Sequence, residues 1–335
     1  MKAILLTTRE DRVKAVYSNE IITELKDYIN DFEETIYTKD MIATNPEKFK
    51  ETKLIFSTWG MEDFSEEEIK EYFPELKCLF YAAGSVQSFG KPFLNCGVRI
   101  FSAWAANAVP VAEYASAQII LANKGFFPTQ RILRNNKNYA QGKSLFSCYS
   151  GNYKSKIGII GAGMIGKKVI EMLHSYDVEI LVFDPFFSEE AAKAMGVRKT
   201  SLEEIFSVCN VISNHLADNE QTKGMFDYSL FSKMLPYSSF VNTGRGAQVV
   251  QEDLIRVLKE RNDITAYLDV TFPEPLPNES ELYDLDNCFL TPHIAGAIGN
   301  ELWRLGEYML NEFKRYLNSE PCKYEVTSEM LKTMA

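Results

Sequence analysis

Three residues in the second half of the chain stand in settings that suit proton and hydride chemistry. Arg245 lies between two glycines in Phe240-Val241-Asn242-Thr243-Gly244-Arg245-Gly246, Glu274 lies between two prolines in Phe272-Pro273-Glu274-Pro275, and His293 follows Thr291-Pro292. A guanidinium flanked by glycines can leave a sheet edge and grip a carboxylate at two points, because its planar fork matches the carboxylate oxygens. Histidine titrates near neutrality, and a neighbouring acid can hold it in place. An anchor, a proton donor and a group that holds the donor are what hydride reduction of a 2-keto acid requires. Each residue also has an ordinary reading: a cap or surface ion pair for Arg245, an exposed turn acid for Glu274. All three, however, fall just past short β-branched or aromatic runs, which is where open α/β sheets bind ligands.

A hydride carrier has its own motif upstream. Ile157-Gly158-Ile159-Ile160 runs into Gly161-Ala162-Gly163-Met164-Ile165-Gly166, a G-x-G-x-x-G pattern between a strand and a helix. Gly161 permits the tight turn, Gly163 lets backbone approach a pyrophosphate, and Gly166 lets the helix lie close to the strand. The helix start at Met164 and Ile165 offers unpaired N–H groups and the positive end of the dipole. Asp184 closes the next strand, Val182-Phe183-Asp184. A carboxylate there holds both ribose hydroxyls and repels a 2′-phosphate, so NAD is favoured over NADP. The other two histidines read differently: His174, within Glu171-Met172-Leu173-His174-Ser175, as structural, and His215, ending a strand, as a wall of the cofactor cleft.

The elements that must position these residues alternate from the start of the chain, strand runs with amphipathic stretches, as parallel sheets with crossover helices do. Strands are expected at Ala3–Thr7, Leu54–Thr58, Cys78–Ala82 and Arg99–Ser102, then at Lys156–Ile160, Glu179–Phe183, Val211–His215, Phe240–Thr243, Thr265–Val270 and Phe289–Thr291. Between the two series, Val111–Asn123 is a nearly all-apolar helix joining two domains. Arg134–Tyr153 is polar with weak periodicity and reads as a surface excursion, and Asn300–Leu317 as a long amphipathic helix that packs back on the first domain.

Composition bounds the rest. The 335 residues, 46% hydrophobic and 24% charged, suit two cores. A net charge of −10 without a basic run argues against nucleic-acid or anionic-membrane partners. No apolar stretch approaches the roughly 20 residues of a membrane span. Met1–Thr8 reads as a strand and not as a signal peptide. Six cysteines, without a C-x-x-C pair or a histidine at ligand spacing, suggest neither a metal site nor a disulfide framework; they read as reduced core thiols of a cytoplasmic protein.

In the cofactor glycines, Val241–Gly246, Leu268–Pro275 and Thr291–Gly296, taken in that order, the chain resembles the D-isomer-specific 2-hydroxyacid dehydrogenase family. The resemblance implies an NAD-dependent enzyme that interconverts a small 2-keto acid and its D-2-hydroxy acid. It implies that Arg245 binds the substrate carboxylate, that His293 gives or takes the proton, and that Glu274 raises the His293 pKa. It places Asp269 near the nicotinamide carboxamide, and Leu216, Thr243 and Gly296 in the cofactor site. The backbone of Ala83-Gly84-Ser85 would hold the substrate carboxylate. The implied fold is two doubly wound parallel-sheet domains, a Rossmann cofactor domain (111–295) inserted into a flavodoxin-like substrate domain (1–110 plus 296–335), with homodimers formed through the cofactor domain. Ala217 stands where many members carry proline, no Gly-x-Trp occurs in Gly142–Gly151, and the turn at Ala83 lacks the common Gly-Val-Asp run. Formate dehydrogenases share the architecture but have glutamine beside the histidine, so Glu274 argues against that activity. Phosphoglycerate dehydrogenase is a closer rival within the reaction class: its long forms carry a further regulatory domain, for which nothing is expected after Leu317, while its short forms stay open. A reading of another class is an NAD-sensitive, protein-binding corepressor-like module without physiological turnover.

Overall fold

The computed structural model describes residues 1–332; residues 333–335, part of the expected substrate domain, lie outside the described residues. The strands are β1 (Lys2–Leu6), β2 (Asp31–Tyr37), β3 (Thr52–Ser57), β4 (Cys78–Tyr81), β5 (Arg99–Ser102), β6 (Tyr153–Ile160), β7 (Asp177–Phe183), β8 (Arg198–Lys199), β9 (Val211–Asn214), β10 (Ser239–Asn242), β11 (Thr265–Leu268), β12 (Cys288–Leu290) and β13 (Glu325–Val326). They form two sheets, ordered β13-β5-β4-β3-β1-β2 and β12-β11-β10-β9-β6-β7-β8. The first is the flavodoxin-like order with an added edge strand, and the second is the Rossmann order. All pairings are parallel except β13 against β5. Central strands such as Leu54–Ser57 and Cys78–Tyr81 are buried on both faces, hence their unbroken apolar runs.

The chain divides into two units, one of residues 1–107 with the residues from Ala297 onward, the other of residues 108–296. In the first, the helix Glu301–Leu317 sets Leu305, Met309 and Phe313 in one core with Leu5, Phe56 and Phe80. Gly306 is required there, since a Cβ would stand 2.2 Å from the Val16 carbonyl oxygen. The fully buried Glu312 then fixes the tail, accepting from the backbone N–H of Lys323 (2.8 Å) and Tyr324 (3.0 Å) and pairing with Arg315. In the second unit, the helix Trp104–Ala122 contributes Ala112, Ala115 and Ile119 to a core with Ile157, Ile159 and Val169. No helix of the described residues is long and apolar enough to cross a membrane.

Three strands escaped the sequence reading. In β2 only Tyr37 is fully buried and three of the seven residues are exposed, so Asp-Phe-Glu-Glu-Thr-Ile-Tyr shows no clean apolar alternation, and β8 and β13 are two residues each. The expected surface excursion at Arg134–Tyr153 overlaps helices Phe126–Asn136 and Tyr139–Ser144; both lie at the surface and expose apolar residues (Phe126, Leu133, Tyr139), so no buried stripe marks them within that polar stretch. His174 stands at the end of the helix Met164–Leu173, not within it, with Nε2 2.9 Å from the Met195 carbonyl. Of the cysteines, Cys78 and Cys209 are in the core, while Cys96, Cys148, Cys288 and Cys322 are only partly buried.

Candidate active site

The end of β6 and the helix it feeds are locked by glycine. Gly161 has φ +94°, a region L side chains rarely adopt, and a Cβ on it would lie 2.8 Å from the backbone of His215 and Leu216. A Cβ on Gly166 would lie 1.9 Å from the Gly161 carbonyl oxygen, so the first helical turn sits directly on the loop. Around Gly163 the space is open, and no side chain caps the helix beginning at Met164. This is a cradle of backbone N–H groups with room above it. Asp184 closes it from β7: its carboxylate accepts from the N–H of Ala162 at 2.7 Å and of Phe186 at 2.8 Å.

At the end of β9, His215 is buried, with Nε2 2.9 Å from Ser213 Oγ and Nδ1 3.3 Å from Thr243 Oγ1. Burial alone lowers its pKa to about 3, so it is neutral at ordinary pH. Beside it lies a set of buried amides that the sequence reading missed. The Asn214 side chain donates to Asn242 Oδ1 (2.9 Å) and to Gln248 Oε1 (2.6 Å). Gln248 Oε1 also accepts from the Arg245 N–H (3.1 Å), and Gln248 Nε2 donates to the carbonyls of Leu216 (3.1 Å) and Ala217 (2.9 Å). Asn242 accepts from the Gly244 N–H (3.0 Å) and donates to the Arg245 carbonyl (3.2 Å). The backbone of residues 244–245 is therefore held by the side chains of Asn242 and Gln248, and both of these are held in turn by Asn214. Gly244 and Gly246 are glycines for lack of space: a Cβ would stand 2.6 Å from Asn214 Nδ2 on the former and 2.0 Å from the Thr271 carbonyl carbon on the latter. Arg245 is half-buried, its Nη1 donating to the Gly244 carbonyl at 2.8 Å.

His293 and Glu274 meet. His293 Nδ1 lies 2.6 Å from Glu274 Oε1, and both side chains are more than 40% exposed. A neutral imidazole whose Nδ1 faces a carboxylate carries its proton there, which leaves Nε2 as the nitrogen that can accept one. The loop carrying His293 hangs on Asp269, which is buried. Its carboxylate accepts from Thr291 Oγ1 (2.7 Å) and from the N–H groups of Ile294 (2.8 Å) and Ala295 (2.9 Å), while its carbonyl accepts from the His293 N–H (3.0 Å). His293 itself has φ +55°. Gly296 follows directly and is the last residue of the second unit.

The turn Ala83-Gly84-Ser85 belongs to the first unit, at the end of β4. Ser102, on β5, donates to the carbonyl of Ala83 at 3.0 Å and also bonds the carbonyl of Gly84. In a trans peptide the N–H points opposite to the carbonyl, so a hydroxyl that ties both carbonyls back turns the N–H groups of Gly84 and Ser85 the other way. Ser102 gave no sequence signal, being one polar residue at a strand end.

Residues 117–295 match the family model described as D-isomer specific 2-hydroxyacid dehydrogenase, NAD binding domain. YoaD of Bacillus subtilis (strain 168), whose name assigns it to the 2-hydroxyacid dehydrogenases, is 33% identical over 60% of this chain and 58% of its own length. A glyoxylate reductase of Korarchaeum cryptofilum is 27% identical over 79% of this chain and 80% of its own. The match to a Neurospora crassa formate dehydrogenase spans 56% of that protein, so the chain covers little more than half of YoaD and of this relative. Among solved structures, the D-mandelate dehydrogenase of Rhodotorula graminis aligns over 98% of both chains with a TM-score of 0.81 at 19% identity, a likeness of fold.

Proposed function

The chain belongs to the family of D-isomer specific 2-hydroxyacid dehydrogenases, and from that membership we propose that it interconverts a small 2-keto acid and its D-2-hydroxy acid with NAD. The observation that carries the reading is the 2.6 Å contact of His293 Nδ1 with Glu274 on a partly exposed side chain, an arrangement that suits proton exchange at the other ring nitrogen. The glycine cradle fits a dinucleotide, because it has open space at Gly163, an uncapped helix start and an acid at the neighbouring strand end. Gly161, Gly163, Met164, Ile165, Gly166, Asp184, Leu216, Thr243, Asp269 and Gly296 would hold it, and NAD when bound supplies or accepts the hydride.

The chain's own residues do the remainder. Arg245 anchors the carboxylate with its fork. In the first unit, the backbone N–H groups of Gly84 and Ser85, next to Ala83, are the groups suited to a carboxylate. His293 Nε2 gives its proton to the carbonyl oxygen during reduction and takes it back during oxidation. Glu274 stabilises the imidazolium that donates. The test is NADH oxidation across 2-keto acids graded by size and charge, with NAD reduction by D- and L-2-hydroxy acids. Turnover of D-acids alone is expected. An inactive protein, or one that prefers L-acids, overturns the reading.

The molecule works as a homodimer in the cytoplasm. Of the apolar helix at Val111–Asn123, Ala112, Ala115, Ile119 and Ala122 lie in the core of its own unit. A different surface supports dimerisation: Phe126 and Leu133 are exposed, and Tyr139 and Phe146 are 73% and 85% exposed, all within one stretch of the cofactor domain. Six cysteines without a disulfide suit a reducing compartment.

A further inference from the structure

Tyr114, on the helix Trp104–Ala122, has its hydroxyl 2.9 Å from Thr291 Oγ1, and Thr291 Oγ1 lies 2.7 Å from Asp269 Oδ1. We infer that Tyr114 and Thr291 are positioning residues for His293, acting through the Asp269 carboxylate; the inference rests on the acid–base role of His293 given above.

The direction of the chain starts at Asp269, where Thr291 Oγ1 donates to Oδ1. The same side chain accepts a backbone N–H on each oxygen, from Ile294 on Oδ1 and from Ala295 on Oδ2. A threonine hydroxyl has one proton, so its oxygen is left to accept, and Tyr114 donates to Thr291. Two hydroxyls thus point in series at one buried carboxylate, each polarising the next in a medium of low dielectric.

What that carboxylate holds is the loop of the proton donor. His293 sits at φ +55°, a conformation costly for a residue with a side chain, and is followed at once by the two amides bonded to Asp269. Its own N–H is bonded to the Asp269 carbonyl at 3.0 Å. Asp269 thus fixes residues 293–295 through both its main chain and its side chain, and with them the approach of Nδ1 to Glu274. The far end of the chain is firm, because Ala112, Ala115 and Ile119 bury the helix that bears Tyr114.

The experiment compares Tyr114→Phe, Thr291→Val, Thr291→Ser and the double variant Tyr114→Phe/Thr291→Val. Steady-state kinetics are read together with amide hydrogen exchange at Ile294 and Ala295 in the protein without substrate. Tyr114→Phe and Thr291→Val are expected to lower kcat roughly 3- to 10-fold, the scale of one hydrogen bond, with the KM for NADH moving less than about two-fold. Thr291→Ser restores most of what Thr291→Val loses. The double variant is no slower than Thr291→Val, since Tyr114 acts only through Thr291. Exchange at both amides accelerates in Tyr114→Phe. Unchanged exchange in Tyr114→Phe, or losses that add in the double variant, overturns the inference. If the wild-type protein turns over no 2-keto acid while the two amides still respond, the positioning chain stands and the acid–base reading of His293 falls.

Discussion

At the residue scale, the pairing of His293 with Glu274 makes the sharpest statement, because it joins two exposed groups whose charges matter only together. Glu274→Gln keeps size and a hydrogen bond but removes the charge that favours imidazolium. Reduction should then slow, with kcat/KM for a 2-keto acid falling several-fold. An unchanged kcat/KM in the variant would free Glu274 from this role. His293→Ala should cost roughly 10²-fold or more in kcat. Arg245→Lys keeps the charge and loses the fork, so kcat/KM for a 2-keto acid should fall at least about ten-fold; an unchanged value would move carboxylate recognition elsewhere. For Asp184 the structure adds a second duty, since its carboxylate holds the N–H groups of Ala162 and Phe186. Asp184→Ala should narrow the preference for NADH over NADPH and also weaken NADH binding several-fold, as titrated by NADH fluorescence. A preference that stays as wide as before would refute the ribose assignment.

At the scale of elements, the strand ends are where polar residues are buried, and His215 at the end of β9 gives that burial a thermodynamic sign. The unfolded chain protonates this imidazole below about pH 6.5, whereas the folded protein keeps it neutral down to about 3. In that window the unfolded state binds the extra proton, so folding stability drops as pH falls. His215→Gln removes the difference, and its Tm should decline less steeply than wild type between about pH 7 and pH 5. Equal slopes would exclude His215 as a source of the acid sensitivity. The same strand ends show what the sequence could disclose. The glycine loop, Arg245, Glu274 and His293 were legible because rare residue types stood at fixed spacings after apolar runs. Asn214, Asn242, Gln248 and Ser102 were not, since a lone amide or hydroxyl past a strand also marks an ordinary turn, and its partner is chosen only when distant strands come together. Likewise Asp269 drew notice as an acid at a strand end, but nothing in its neighbours foretold that Thr291, Ile294 and Ala295 would occupy its carboxylate. Edge strand β2 stayed hidden because its charged residues interrupt the alternation by which a half-buried strand is recognised.

At the scale of the molecule, association and connectivity set the terms. Light scattering at micromolar concentration should report a dimer, and Phe146→Glu should shift it toward monomer. A wild-type monomer under those conditions would remove the assembly from the proposal. Connectivity has a further consequence through one hydrogen bond of the first unit, where the Ala297 N–H donates to Asn107 Oδ1 at 3.0 Å. These residues are the last before the inserted unit and the first after it, and about 190 residues lie between them. In an unfolded chain, bringing such distant points together costs roughly 5 kcal/mol of loop-closure entropy. Once the inserted unit has folded, its two ends are held at a fixed separation and most of that cost is already met. The order of maturation is thereby biased against the order of synthesis: folding of the inserted unit lowers the entropic cost of bringing the helix Glu301–Leu317 to the sheet built from residues 1–107.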